Sequence, residues 1–388
     1  MKYSLASSTW DEKEKKAMLE VMDSGLYTMG PNVLKYEKNF ADFFGSKYAV
    51  MVNSGSSANL LTIAALFYRN TNPLKFGDEV IVPAVSWPTS FHPLQQHGLH
   101  CRFVDIDKDT LNYDLNALRN AITDNTKIIL VVNLLGNPNN FEEIYRIIGN
   151  RNIIIIEDNC ESMGARYSGK MAGTFALMGT FSSFFSHHIS TMEGGMIVTD
   201  DEELYHILIS LRAHGWTRNL PKFNHITGEK SDNLFEESFK FVLPGYNVRP
   251  GEMNGAIGIE QLKKLSSFIE MRRKNAEHFI QLFANHPYLR IQKEIGESSW
   301  FGFSIVIKEN APYTRNQLVE LLTKNNIECR PIVSGNFLKN LVMKYYNYSI
   351  AGEVTNAEWI DLNGLFIGNH HFELFEEIEF VSNLLRVK

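Results

Sequence analysis

The segment GTFSSFFSHHISTMEGGMIVTD, residues 179–200, holds two apolar runs, GTFSSF (179–184) and GMIVTD (195–200), joined by a polar loop. Both runs read as short strands. The loop carries two adjacent histidines, His187 and His188, ahead of a Glu-Gly-Gly turn. Three readings of the histidines stand at this point: metal ligands, a proton relay, or residues with no chemical role. Working outward, similar runs recur at YAVMV (48–52), DEVIVPAV (78–85), CRFVDI (101–106), KIILVVNLL (127–135) and NIIIIED (152–158). Strands apolar on both faces are covered on both faces, as in a mainly parallel sheet with helical crossovers. The intervening SANLLTIAALFYR, LNALRNAI, NFEEIYRIIG and DEELYHILISLRAHG read as helices, so the fold class expected is α/β.

After about residue 250 the pattern changes. A long helical stretch, EMNGAIGIEQLKKLSSFIEMRRKNAEHFIQLFA, leads to FGFSIVI, the helix NQLVELLTKNN, ECRPIV and a helix near 372–386. This predicts a large domain over 1–249 and a smaller C-terminal α+β domain over 250–388. The mixed-charge segment 219–237 reads as an excursion or loop. The 388 residues, 44% hydrophobic and 21% charged, are ordinary for a folded globular chain. A net charge of -6 gives no general attraction to nucleic acid or anionic membrane. MKYSLASSTWDEKEKK has no apolar core of signal-peptide length, and no apolar run approaches the ~20 residues that span a bilayer. Cys101, Cys160 and Cys329 are scattered and odd in number, which fits neither a disulfide framework nor a tight metal cluster. A reduced, cytoplasmic protein is expected.

Four other segments carry candidate chemistry. NSGSSANLL (53–61) follows a strand and opens a helix. It is either a structural turn or a cradle in which the N–H groups of Gly55, Ser56 and Ser57 bind a phosphate. PAVSWPTS (83–90) sets Trp87 after a strand end, as a core residue or as a surface on which a ring stacks. IIIIEDNCESMGA (153–165) runs a strand into Glu157, Asp158 and then Glu161. Such acids are either solvated loop residues or, for Asp158, the partner of a protonated ring nitrogen. RAHGWTR (212–218) and LPGYNVRPGEMNGAIGIEQL (243–262) complete the set, with Asn247 and Arg249 on a turn before the long helix.

Taken in order, KYEKNFADFFGSKYAVMVNSGSSANLL, GDEVIVPAVSW, FVDID, IIEDNCESMGA, the opening segment and GYNVRPGEMNGAIGIEQL resemble the nucleotide-sugar aminotransferases from about Gly30 to the C-terminus. These are pyridoxal-phosphate (PLP) enzymes of the aspartate-aminotransferase fold, fold type I. The resemblance implies a large domain with a mixed, mainly parallel seven-stranded sheet. It also implies that Gly55, Ser56 and Ser182 bind the cofactor phosphate, Trp87 stacks on the ring, Asp158 pairs with its nitrogen and Glu161 lies near its 3-hydroxyl. Asn247 is implied to reach the phosphate of a neighbouring subunit, making a homodimer part of the active site.

One departure from the family pattern decides the expected chemistry. The family segment looks like FSFxxxKxxTTxEGG, with the cofactor-binding lysine seven residues before the first glycine of the pair. Counting back from Gly194 gives His187, and an imidazole has no primary amine with which to anchor PLP. The same substitution marks a small branch of the family, the nucleotide-sugar 3-dehydratases, and the chain is similar to those acting on a GDP-linked 4-keto-6-deoxymannose in colitose synthesis. The resemblance implies non-covalent PLP, conversion to pyridoxamine phosphate (PMP) by L-glutamate, and loss of the C3 hydroxyl with release of ammonia. Imidazole, with an ordinary pKa of about 6.5, moves protons near neutrality more readily than an ammonium at about 10.4. A related branch that needs an iron–sulfur cluster is disfavoured by the scattered cysteines. His214, Arg218, Phe239, Arg249 and Arg330 are the candidates for the glutamate or nucleotide-sugar pocket, and His188 is assigned a structural role. The alternatives are an aminotransferase with a displaced lysine (Lys170 being nearest), a non-catalytic protein of the same fold, and a His187–His188 metal site. Adjacent strand or turn residues point apart, which disfavours the last, and no metal is expected.

Overall fold

The computed structural model describes residues 2–386. All seven predicted strands form, and they lie in one sheet: β1 Tyr48–Val52, β2 Glu79–Pro83, β3 His100–Val104, β4 Thr126–Val132, β5 Ile154–Asp158, β6 Met178–Ser182 and β7 Gly195–Thr199. An eighth strand, β8 Tyr348–Ile350, joins the edge, giving the order β1-β7-β6-β5-β4-β2-β3-β8. The expected seven-stranded sheet therefore gains a strand from the C-terminal part of the chain. Only β7 runs against its neighbours; the other pairings in the sheet are parallel. Strands β2, β6 and β7 are buried along their whole length, which is why they read as apolar runs without alternation.

Helices cover both faces. Gly55–Ala65, Pro88–Gln96 and Glu202–Leu211 contribute to a core with Val80, Val82, Ile128 and Ile197. Leu115–Ala121 and Phe141–Ile148 pack on the opposite face against Ile81, Ile129 and Ile155. The predicted long helix spans Glu252–Phe283. Its first half packs on helices Glu12–Ser24 and Pro31–Phe44, while Phe279 and Phe283 enter the core of a four-stranded antiparallel sheet, Leu289–Ile291, Gly302–Ile307, Gly364–Gly368 and Cys329–Arg330. Tyr3 lies in that same core and donates its hydroxyl to the Gly368 carbonyl at 2.7 Å. Segment 219–237 is not structureless: it holds the ribbon Phe223–Asn224/Gly228–Glu229 and a short helix, Leu234–Glu237.

Because β1 and β6 both pair with β7, Val52, Gly195 and Ser182 meet at one edge of the sheet. Asp158 ends the next strand at the same edge. In open α/β sheets the crevice outside these carboxyl ends is where ligands bind.

Candidate active site

At the end of β1, Ser54 caps helix Gly55–Ala65 by accepting from the Ser57 N–H at 3.1 Å. A Cβ on Gly55 would lie 2.6 Å from the Ser182 Cβ, and one on Gly195 only 2.2 Å from the Ser54 carbonyl oxygen. Only glycine lets the helix start come this close to β6 and β7. The unpaired N–H groups of that first turn, the Ser56 hydroxyl and the Ser182 hydroxyl thus form a small cradle with the character of an anion site. Ser56 also donates to Thr89 at 3.1 Å, tying the cradle to the start of helix Pro88–Gln96. Gly55→Ala is expected to destabilise the fold by about 1–3 kcal/mol through overpacking. It is also expected to weaken PLP binding more than tenfold, read by cofactor fluorescence titration; unchanged affinity would remove the phosphate role from this turn.

Asp158 is nearly buried at the end of β5. Its Oδ2 accepts from Asn59 Nδ2 at 2.8 Å and Ser90 Oγ at 2.7 Å, and its Oδ1 accepts from the Cys160 N–H at 3.1 Å. Thr180 in turn donates to Asn59 at 2.6 Å. A carboxylate oriented by three donors is no solvated loop acid. Glu157, one residue earlier, points the other way into a nest formed by Asn133 and the Gly173, Phe175 and Ala176 N–H groups, and has a structural role. Trp87 is 55% exposed, which rules out the core alternative and leaves its ring free to cover a ligand.

The β6–β7 loop separates the two histidines. His188 is fully buried and donates Nε2–H to the Ser299 carbonyl at 3.2 Å. His187 is partly exposed, its ring lying edge-on to Phe184 at 5.9 Å and Phe301 at 5.3 Å. Among the described residues neither of its ring nitrogens has a hydrogen-bond partner, and Nδ1 is buried. Burial, and then the guanidinium of Arg272, hold His187 down to about 4 and His188 well below its ordinary 6.5. A neutral imidazole with an unused nitrogen is a competent proton acceptor. Among the described residues no three His, Cys, Asp or Glu side chains gather as a metal site. Lys170 does not substitute for the absent lysine: it is exposed on the ribbon Arg166–Tyr167/Lys170–Met171, with its ammonium over the Phe175 ring.

Glu161 accepts from the Leu135 N–H at 3.1 Å and is pushed up to about 7 by burial, with Asp158 adding to the rise. The titrations of these groups set an acid limit. His187, His370 and His371 sit near 4 and His188 lower still, so below about pH 6.5 the unfolded chain binds protons that the fold excludes, and stability falls with pH. Glu157 and Glu161, both raised to about 7, act oppositely between 4.5 and 7, since there the fold keeps protons the unfolded chain loses. Four imidazoles against two carboxyls leave the first effect larger. The melting temperature of the cofactor-free chain should drop between pH 6.5 and 5; a rise over that interval would contradict the assignment.

A second cluster lies on the loops 213–218 and 238–249. Arg218 sits over the Trp216 ring at 4.4 Å and over Phe239 at 5.8 Å, Arg249 faces Trp216 at 5.6 Å, and His214 packs edge-on to Trp216 at 4.9 Å. Arg249 Nε donates to Asn247 Oδ1 at 3.0 Å. The loop is anchored by a buried ion pair between Arg212 and Glu37. Four of the five predicted pocket residues, with Asn247, thus come together around Trp216, a residue not singled out from sequence. Arg330 does not join them: it is paired with Phe366 at the edge of the small sheet. Also unrecognised were Asn59, Ser90 and Thr180 behind Asp158, and Phe301 and Arg272 behind the histidines. Asn59 lies within a quoted motif, but nothing in its spacing points to a carboxylate 99 residues away.

The mixed sheet, the strand-end acid, the glycine-serine cradle and the loop between β6 and β7 define a PLP fold type I protein. Residues 8–383 match the DegT/DnrJ/EryC1/StrS aminotransferase family, and the chain belongs to it. The chain is 66% identical to the GDP-4-keto-6-deoxy-D-mannose 3-dehydratase of Yersinia pseudotuberculosis over 99% of its length and 98% of the relative's. It is equally similar to a solved Escherichia coli enzyme of that name with bound hydrated PLP, at a TM-score of 0.98 and 99% coverage of both chains. A further structure of a GDP-4-keto-6-deoxymannose 3-dehydratase, again 66% identical with a TM-score of 0.98 and covering 99% of this chain and 100% of that one, holds a trapped PLP–glutamate geminal diamine. A variant of that enzyme carries bound GDP-perosamine.

Proposed function

We propose that the chain removes the C3 hydroxyl of GDP-4-keto-6-deoxy-D-mannose, giving GDP-4-keto-3,6-dideoxy-D-mannose and ammonia, with PLP and L-glutamate generating PMP. The observation that carries this reading is His187: a cofactor site otherwise complete for the family has an imidazole where the amine belongs. The ligands of the close relatives, PLP, a PLP–glutamate adduct and a GDP-sugar, support it. So does a double variant of that relative in which an adjacent serine and histidine become asparagine and lysine. Ser186–His187 is the Ser–His step of this loop, which favours His187 over His188.

The residues present fit the cofactor. The Gly55 turn, Ser56 and Ser182 hold its phosphate in the cradle that a Cβ on Gly55 would fill. Trp87 covers the ring, Asp158 keeps the ring nitrogen protonated, and Glu161, largely protonated below about pH 7, donates to the 3-hydroxyl. When bound, the cofactor supplies an amine for the sugar's 4-keto carbon and a ring that takes up an electron pair. His187, neutral at physiological pH, accepts the proton from the cofactor's methylene carbon C4′. The resulting imidazolium, acidic because burial disfavours its charge, delivers the proton to the departing C3 hydroxyl, which leaves as water. A lysine ammonium is a weaker acid and its amine would hold the cofactor covalently.

His214, Arg218, Phe239 and Arg249 are assigned to the nucleotide-sugar, and Arg330 to the glutamate or nucleotide pocket. Asn247 is assigned to the phosphate of a second copy's site, so the active unit is a homodimer. Exposed Leu234, Phe235, Phe239 and Phe241 on the neighbouring excursion support a covered face there. A cytoplasmic location is in keeping with three free cysteines, and among the described residues no helix is long and apolar enough to cross a membrane. The test is direct. Protein with PLP and glutamate should form PMP, and addition of GDP-4-keto-6-deoxymannose should release ammonia and the 3-deoxy ketosugar. A stable 4-amino sugar would overturn the proposal in favour of an aminotransferase.

A further inference from the structure

We propose that Arg272 is a positioning residue for His187, acting through the backbone of Trp300 and Phe301. This rests on the role given to His187 above. Arg272 lies on the long helix, is only 3% exposed, and has no carboxylate partner among the described residues. Its Nη1 instead donates to the carbonyls of Asn369 at 2.8 Å, Phe301 at 3.1 Å and Trp300 at 3.4 Å, while Nε is buried and unpartnered. Burying a guanidinium against carbonyls alone is expensive, and an apolar side chain of similar volume would fill the same space more favourably. All three bonds come from Nη1 at the end of the side chain, and its reach to three carbonyls at once meets a geometric requirement that packing does not.

That requirement is the segment Ser299–Phe301. The Phe301 ring lies 5.3 Å from His187 and 5.7 Å from His188, and the Ser299 carbonyl accepts from His188. Trp300 sits at φ 47, a left-handed conformation that a bulky residue adopts only when its surroundings enforce it. Asn369 Nδ2 helps by donating to the Trp300 carbonyl at 2.9 Å and to the Arg272 carbonyl at 3.0 Å. From the other side, Ser299 N–H donates to the Gly136 carbonyl at 2.9 Å and Phe301 N–H to the Leu135 carbonyl at 3.1 Å. Leu135 is also the residue whose N–H holds Glu161. One short strained segment therefore sets both the histidine pair and, through Leu135, the acid assigned to the cofactor's 3-hydroxyl.

The charge of Arg272 acts in the same direction as its hydrogen bonds. Burial holds His188, His370 and His371 below their ordinary value, and the same guanidinium adds to the effect. His187 is thus kept in the proton-accepting form while its ring is held in place.

Two experiments separate these effects. Arg272→Lys keeps the charge but ends one atom short of Nη1 and its three carbonyls, and Phe301→Leu removes the ring; in both, kcat for ammonia release should fall about 10- to 100-fold with KM for the nucleotide-sugar within about twofold, since small misplacements of a catalytic group cost this much. In the PLP-free chain, nuclear magnetic resonance titration of the His187 imidazole should show a midpoint of about 4, moved upward in Arg272→Met, which removes the charge but keeps the site buried. If Arg272→Met fails to fold, the other two variants decide. Folded variants with unchanged kcat and an unchanged midpoint would overturn the inference, as would a loss of kcat no greater than the loss of folded protein. Wild-type protein that releases no ammonia from the sugar would instead overturn the proposed function, while the titration would still report on Arg272 and His187.

Discussion

Replacing His187 by lysine is expected to yield a protein in which borohydride fixes the cofactor to residue 187 and dehydration falls by about 10²–10⁴-fold, the range of a general acid–base group. The upper part of that range applies because the same imidazole is assigned two proton transfers, one from C4′ and one to the leaving oxygen. The new amine supplies the anchor whose absence defines this site, and it replaces an imidazolium made more acidic by burial with an ammonium that protonates hydroxide poorly. His188→Lys should not create the linkage, because His188 is fully buried and its ring is held against the Ser299 carbonyl. The measurement is peptide mapping after reduction, alongside ammonia release. A reducible linkage at 188 and none at 187 would shift the assignment by one residue.

Asp158→Asn is expected to lower kcat by about 10²–10³-fold, comparable to deleting one preorganised electrostatic partner of a transition state. The side chain keeps its shape, but a neutral amide no longer holds a proton on the ring nitrogen, and the electron pair loses its destination. The amide also places an N–H where Asn59, Ser90 or the Cys160 N–H now donates to oxygen, leaving one buried donor facing another. Both the PLP spectrum and PMP formation with glutamate should change. Glu157→Gln, one residue earlier in the same strand, should act chiefly on stability because its carboxylate serves the turn at 173–176. Asp158→Asn with more than half the wild-type kcat would remove the ring-nitrogen role.

Much of this site was legible because its key residues sit in contiguous motifs at strand ends. A run such as IIIIED declares both the buried strand and the acid that ends it. Against the family pattern, the Gly-Gly pair sets the count back to His187. The edge strand β8 was not legible: three residues, YSI, with a partner on one side only, carry no periodic pattern and little burial. Nor was the clustering of His214, Arg218, Phe239 and Arg249 around Trp216, since separate loops supply them.

By itself the chain's sequence determined the α/β class and the seven central strands, because these depend on local periodicity; the family, and His187 as the residue assigned to the lysine position, came from the resemblance of ordered motifs to a known family. Only the tertiary structure decided which histidine is buried, what orients Asp158, that Trp87 faces outward, and that Arg272 and Phe301 stand behind His187. Those facts depend on side chains brought together from distant parts of the chain, as His188 and Ser299 are across 111 residues. Burial, electrostatic fields and hydrogen-bond partners belong to the packed assembly and leave no periodic trace in the order of the residues.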